Sequence, residues 1–134
     1  MSDEHPKNIQ IFLPNGNARS IRIAEITSRT VQAVQIPRSN LKTAERRDEP
    51  QRVGVYFLFG ESDEEAGKPL AYIGEAENCL RRLNRHHLKK DFWNTAVVVT
   101  SKTLNFTKAH AQYLEYDCIR RAHKADRFRL ENTQ

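Results

Sequence analysis

The sequence of 134 residues predicts an α+β fold, in which an N-terminal β-meander precedes a small three-stranded antiparallel sheet flanked by helices in the order ββαβα. Two observations predict this fold. In the first 40 residues, apolar and polar side chains alternate in short runs, which is the pattern of half-buried strands. From residue 53 onward, apolar runs of strand length are separated by segments of helical periodicity, which is typical of a sheet covered by helices.

The N-terminal segment, residues 1–45, is predicted to contain three antiparallel strands. The three alternating runs are residues 9–13, 20–26 and 30–36. Asn15 and Gly16 lie between the first two runs, and this pair favours a tight hairpin turn. Residues 46–52 are polar and charged, so they are predicted to be a linker with at most one helical turn. Residues 53–134 are therefore the second predicted domain.

Three strands and two helices are predicted in the second domain. The strands are residues 53–59, 70–74 and 96–100. The first two are expected to pair as a hairpin with a long acidic tip, and the third, which is rich in β-branched residues, is expected to be central. Asn78 is the predicted N-cap of a helix that runs to about Lys90. Thr107 is the predicted N-cap of a longer helix that runs to about Lys124. One face of the longer helix is predicted to carry Ala111, Leu114, Cys118, Ala122 and Ala125.

Charge is distributed unevenly along the chain. There are 22 Lys and Arg residues against 17 Asp and Glu, which gives a net charge of +5 and a pI near 9.4. Residues 1–52 carry a net +3, residues 53–77 carry −5, and residues 78–134 carry +7. Such a basic block is typical of proteins that bind polyanions, because each neutralised phosphate releases a counterion. The solvated surface of a basic protein gives the same pattern, so charge alone does not decide.

The composition excludes several classes of protein. No apolar run approaches the roughly 20 residues that a membrane span needs. The first 20 residues hold no apolar segment like that of a secretory signal, so we expect a cytoplasmic protein without a membrane partner. Cys79 and Cys118 lack the spacing of a disulfide framework or a zinc site and are expected to be buried free thiols.

Two tripeptides rich in glycine and tyrosine lie in the first two strands of the second domain. They are Gly54-Val55-Tyr56 and Tyr72-Ile73-Gly74. The helix that follows carries further matched positions at a fixed spacing: Asn78, Arg82, Leu83 and His86. Together these motifs resemble the signature of the GIY-YIG endonuclease superfamily, and the resemblance extends over residues 53–132.

The resemblance implies an activity as well as a fold, that of a divalent-metal-dependent DNA endonuclease or nickase that hydrolyses phosphodiester bonds. The family helix with a central metal-binding glutamate is similar to residues 108–119, which assigns the metal to Glu115. The family's terminal asparagine corresponds to Asn132. The implied catalytic residues are Tyr56, Tyr72, Arg82, His86, Glu115 and Asn132. The implied cofactor is one Mg²⁺ or Mn²⁺ ion, because a single carboxylate suits a hard cation that keeps most of its waters.

Two features depart from the family pattern. Residues 57–71 form a longer connection between the tripeptides than is usual, as expected of an insertion at a hairpin tip. Several members carry a lysine three residues after the second tyrosine, thought to lower the pKa of that phenol, where this chain has Glu75. A replacement cation is expected from Arg81, Arg85 or Lys89.

The first 52 residues resemble the β-rich part that precedes the nuclease in a bacterial subgroup of the family. A further domain often follows the nuclease in that subgroup. We therefore expect this chain to be a piece of a longer protein.

General chemistry assigns roles to the implied residues. The planar Arg82 guanidinium suits a nonbridging phosphate oxygen, and His86 lies one helical turn later on the same face. Either Tyr56 or Tyr72 is the expected general base, and a phenol with a pKa near 10 needs help from its surroundings to act at neutral pH. A stripe of cations is expected to contact DNA phosphates without reading sequence. It consists of Arg81, Arg85, Lys89 and Lys90.

Each of these residues also has a simpler interpretation when taken alone. A tyrosine in a strand is most often a packing residue, His86 beside His87 can interact with the helix dipole, and Glu115 can be a surface carboxylate or a partner of Arg82. The main alternative function is a non-cleaving module that binds nucleic acid, including branched or single-stranded DNA. A third is an interaction protein whose basic face binds an acidic partner. The oligomeric state and the choice between DNA and RNA stay open.

Overall fold

The computed structural model describes residues 4–132 and confirms the α+β class. The strands are β1 (Ile9–Phe12), β2 (Arg22–Ile26), β3 (Val31–Pro37), β4 (Gly54–Gly60), β5 (Leu70–Ala76), β6 (Thr95–Ser101) and β7 (Arg129–Leu130). The α-helices are α1 (Leu41–Ala44), α2 (Cys79–Lys89) and α3 (Lys108–Ala125). Two short 3₁₀ helices, Arg38–Asn40 and Glu49–Gln51, flank α1 on either side.

All seven strands belong to one sheet, in the order β1-β2-β3-β6-β4-β5-β7. The prediction of a separate three-stranded sheet is therefore wrong. β3 pairs antiparallel with β6 over seven residues, from Val31 opposite Ser101 to Pro37 opposite Thr95. β3 can join the sheet because β6 has two hydrogen-bonding edges and β4 pairs with only one of them. β6 is central, as predicted, and β4 and β5 form the predicted antiparallel hairpin.

The larger core lies on the face of the sheet that α1 and α2 cover. It joins Ile23 and Val34 from the meander to Leu58, Leu83 and Trp93 from the second predicted domain. These side chains are between 0% and 3% exposed. Apolar packing is thus continuous across the predicted linker, which contributes a buried proline in its 3₁₀ helix. The division into residues 1–45 and 53–134 stays a prediction.

The smaller core lies under α3 on the opposite face, where Val55 and Ile73 contact Ala111. The predicted apolar face of α3 is partly wrong, because Leu114 is 37% exposed and Ala125 is also exposed. Cys118 and Ala122 of the predicted face do pack against this core, and Ile119 joins them. Helix α3 is thus rotated so that the residue after Leu114, Glu115, is half-buried beside the sheet.

The connection between β1 and β2 differs from the predicted tight hairpin. The amide of Gly16 donates to the Leu13 carbonyl at 2.9 Å, and the amide of Ser20 donates to Asn17 at 3.1 Å. Two consecutive turns therefore replace a two-residue loop, and Gly16 takes a φ of 68°, which a glycine tolerates without strain.

Both predicted N-caps are correct. The Asn78 side chain accepts a hydrogen bond from the Arg81 amide, and Thr107 forms a capping box with His110.

Both cysteines are free as predicted, Cys79 buried and Cys118 half-buried. Within residues 4–132, no helix has the length and apolar content that a transmembrane helix requires.

Candidate active site

Two tyrosines from neighbouring strands lie on the same face of the sheet as α2. In the pairing of β4 with β5, Tyr56 is opposite Gly74, and Leu58 is opposite Tyr72. The two phenol rings stack with their centroids 6.2 Å apart. The ring of His86, from α2, lies 5.5 Å from the Tyr56 ring and 5.1 Å from the Tyr72 ring. We call these three side chains the aromatic cluster.

The glycines of the two tripeptides allow close approach of neighbouring groups. A methyl group on Gly74 would overlap the hydroxyl end of Tyr56, and one on Gly54 would overlap the Val99 carbonyl of β6. Close packing of a phenol on the backbone of the next strand therefore requires the absence of a side chain at Gly74.

The Tyr56 hydroxyl and Nε2 of His86 form a buried hydrogen bond of 2.7 Å. Tyr56 is 0% exposed and His86 is 9% exposed. Burial raises the pKa of Tyr56 well above its ordinary value, the Tyr72 charge adds to this rise, and the Arg82 guanidinium opposes it. Burial lowers the pKa of His86 to about 4, and the positive charges of Lys90 and Arg82 add to this decrease. At neutral pH the hydrogen bond therefore joins a neutral phenol to a neutral imidazole.

The low pKa of His86 makes stability depend on pH. Because the folded pKa lies below the value of 6.5 for an unfolded histidine, His86 contributes stability above pH 6.5 and loses it as the pH falls toward 4. We expect His86 alone to lower the free energy of unfolding by about 2 to 3 kcal/mol over this pH range. Chemical denaturation of the wild type and of His86→Gln between pH 8 and 4 measures it, with His5→Gln, an exposed position, as the control. Equal pH dependence in the wild type and His86→Gln would contradict the assignment.

Arg82, on α2, lines a cavity with Arg81 and Arg85 and also acts electrostatically on the aromatic cluster. Its positive charge opposes the rise in the pKa of Tyr56 and of Glu115 that burial causes, and it adds to the decrease in the pKa of His86. One guanidinium thus acts electrostatically on three of the predicted site residues. The side chain is half-buried, which leaves part of it open to an anion.

Tyr72, Glu115 and Asn132 line one cavity of about 530 Å³ between β5 and α3. Tyr72 is half-buried, unlike Tyr56, so it is the tyrosine of the pair that reaches this cavity. Burial raises the pKa of Glu115, and the neighbouring Glu75 carboxylate adds to the rise, while Arg82 and Lys108 oppose it. Asn132 donates to the Ile73 carbonyl at 2.7 Å and accepts from the Ile73 amide at 3.1 Å. Its amide is thus engaged by the backbone of β5.

Glu115 is the carboxylate at this cavity that could hold a single hard cation. Glu115 is half-buried and held beside a second carboxylate, and a divalent ion would offset the repulsion between them. Within residues 4–132, no group of three or more His, Cys, Asp or Glu side chains is arranged to hold a metal. An ion at Glu115 would therefore depend on water and on a bound ligand for most of its coordination.

The predicted cations divide into three groups. Lys90 lies over the face of the Tyr72 ring, with Nζ 4.6 Å from the centroid. Arg81 and Arg85 line a second cavity beside Arg82, and Lys89 is exposed near the end of α2.

Lys108 was not among the site residues predicted from the sequence. Its ammonium forms an ion pair with Glu75 at 3.3 Å and lines the same cavity as Arg81 and Arg85. The cation beside Glu75 thus comes from α3, and the only local signal for it was a lysine at the first position after the Thr107 cap.

Comparisons with known proteins give one limited similarity. The chain is 35% identical over 83 residues to the UvrABC system protein C of Rickettsia akari (strain Hartford). The similar region covers 62% of this chain and 11% of that protein, so the chain spans about a tenth of its length. No family model and no solved structure matches the chain.

Proposed function

We propose that this protein is a divalent-metal-dependent endonuclease or nickase that hydrolyses phosphodiester bonds in DNA. The observation that carries the proposal is the cavity that Tyr72 shares with Glu115, with the Arg82 guanidinium close enough to influence the pKa of Glu115. A phosphodiester hydrolase needs a proton acceptor for water, a cation for the phosphate and a ligand for the metal, and this set supplies one of each.

Burial favours different roles for the two tyrosines. Tyr72 is half-buried and shares a cavity with Glu115, so we assign it as the general base that takes a proton from the attacking water. Tyr56 is fully buried and hydrogen-bonded to His86, so we assign it as the residue that positions Tyr72 through ring stacking. The neutral His86 completes the buried hydrogen bond and keeps that ring in place.

Charged groups complete the site. Arg82 would bind a nonbridging oxygen of the phosphate, and Lys90 would place positive charge beside Tyr72 as the strand approaches. Glu115 would hold one Mg²⁺ or Mn²⁺, which supplies Lewis-acid stabilisation of the charge that develops on the phosphate. Asn132 would act as a positioning residue, because it fixes the backbone of β5 next to Tyr72.

Two further observations support the proposal. Residues 78–134, which include α2 and α3, carry a net charge of +7, as expected of a protein that binds a polyanion. The similarity to the UvrABC system protein C extends over 83 residues, a length close to that of the motif-bearing stretch 53–132.

Incubation with supercoiled plasmid and Mg²⁺ or Mn²⁺ tests this function. We expect open-circular product from the wild type, and a loss of about 10²- to 10³-fold in rate for Arg82→Ala, because the phosphate charge is then unpaired. Arg46→Ala, which removes an exposed guanidinium in the predicted linker, should nick at the wild-type rate. Binding of DNA without any nicking would refute the nuclease and favour the non-cleaving binding module.

A further inference from the structure

A cavity of about 450 Å³ lies between the beginnings of α2 and α3, next to the aromatic cluster. We call it the basic cavity, because four cationic side chains line it: Arg81, Arg82, Arg85 and Lys108. The facing carboxylate is that of Glu77, which is exposed. Positive charge therefore exceeds negative charge at a concave surface, and concavity concentrates the electrostatic potential.

Half of this positive charge lacks a protein partner. Within residues 4–132, neither Arg81 nor Arg85 uses its side chain in an ion pair or a hydrogen bond. Guanidinium groups that line one cavity repel each other, and a bound anion relieves this repulsion. A planar guanidinium also presents paired donors that match the oxygens of a phosphate.

Lys108 differs from the arginines in being held in place. Its Nζ lies 3.3 and 3.4 Å from the two carboxylate oxygens of Glu75. The Glu75 side chain is 15% exposed and that of Lys108 is 43% exposed. The mostly buried Glu75 carboxylate thus holds the Lys108 ammonium group in place, and the exposed part of the Lys108 side chain stays accessible to a ligand.

We propose that the basic cavity binds a second backbone phosphate of the nucleic-acid strand, adjacent to the scissile one, and that Lys108, positioned by Glu75, is one of its ligands. Arg82 connects the two places, because it lines the basic cavity and also acts on Tyr56 and Glu115. The proposal rests on the proposed function for the nature of the ligand. It adds to that function a defined phosphate subsite and two residues, Lys108 and Glu75.

The test measures binding of a double-stranded oligonucleotide in EDTA at several salt concentrations. Removing one phosphate contact makes the dependence of log K on log salt less steep by about 0.9. We expect that change for Lys108→Gln and the wild-type slope for Lys108→Arg, which keeps the charge. Lys124→Gln is the matched control, since it removes an exposed lysine at the far end of the same helix and should leave the slope unchanged. A wild-type slope in Lys108→Gln, or an equal change in Lys124→Gln, would overturn the proposal.

A second arm distinguishes a strand phosphate from free phosphate. Inorganic phosphate is titrated while backbone amide shifts near Arg81 are followed, in the wild type and in Glu75→Gln. We expect weak binding at the basic cavity that Glu75→Gln weakens several-fold. Saturable phosphate binding without any effect of Lys108→Gln on DNA would assign the cavity to a free anion and overturn the strand subsite. Because both arms omit metal, a protein that shows these effects but never nicks DNA would refute only the nuclease function.

Discussion

Replacing Tyr72 with phenylalanine is expected to reduce the rate of strand nicking by about 10²- to 10⁴-fold, which is the usual contribution of a general base. The ring would still stack on Tyr56 and accept Lys90 on its face, so the fold should be unaffected. Single-turnover nicking of supercoiled plasmid measures the rate, and thermal denaturation of the same samples measures the stability.

Tyr56→Phe provides the comparison that separates the two phenols. Loss of the Tyr56 hydroxyl leaves Nε2 of His86 buried without a hydrogen-bond partner, which lowers the free energy of unfolding by about 1 to 3 kcal/mol. We therefore expect Tyr56→Phe to lower the melting temperature and to affect nicking less than Tyr72→Phe does. Tyr113→Phe, at a tyrosine on α3 that is 67% exposed, should change neither quantity. A larger loss of nicking in Tyr56→Phe, with stability unchanged, would exchange the roles of the two tyrosines.

The parts of the fold that local sequence determines were predictable. Asn78 and Thr107 cap α2 and α3 through bonds to amides three residues later, which a local pattern contains. The pairing of β3 with β6 was not predictable, because it joins distant parts of the chain. The periodicity of a strand does not indicate which other strand pairs with its open edge. β7 escaped detection for a different reason, since a strand of two residues has no periodicity at all.

The same distinction holds at the site. Tyr56, Tyr72 and His86 lie on two paired strands and the helix that follows, and the motif resemblance named all three as candidate site residues. Lys108 was missed because its partner Glu75 lies 33 residues away. The different exposure of the two tyrosines was also beyond the sequence, since it depends on how α2 and β5 enclose Tyr56 while leaving Tyr72 at the cavity.

Replacing Glu115 with glutamine is expected to reduce metal-dependent nicking by at least about 10²- to 10³-fold, because the cavity then lacks the carboxylate that we assign to the ion. The free energy of unfolding, unlike the nicking rate, should not decrease in this variant at neutral pH. A carboxyl group whose pKa is raised on folding contributes stability below its unfolded pKa, and this is lost as the pH rises through the folded pKa. In EDTA at neutral pH, Glu115→Gln should therefore be at least as stable as the wild type, and the difference should disappear near pH 4.

Added Mg²⁺ or Mn²⁺ then separates a metal ligand from a merely buried carboxylate. The ion stabilises the folded state in proportion to its occupancy, so it should raise the melting temperature of the wild type but not that of Glu115→Gln. Glu45→Gln removes an exposed carboxylate far from the cavity and should respond to metal as the wild type does. Equal stabilisation of the wild type and Glu115→Gln by the ion would place the metal elsewhere, even if nicking were lost, because Glu115 would then act on the reaction without holding the cation.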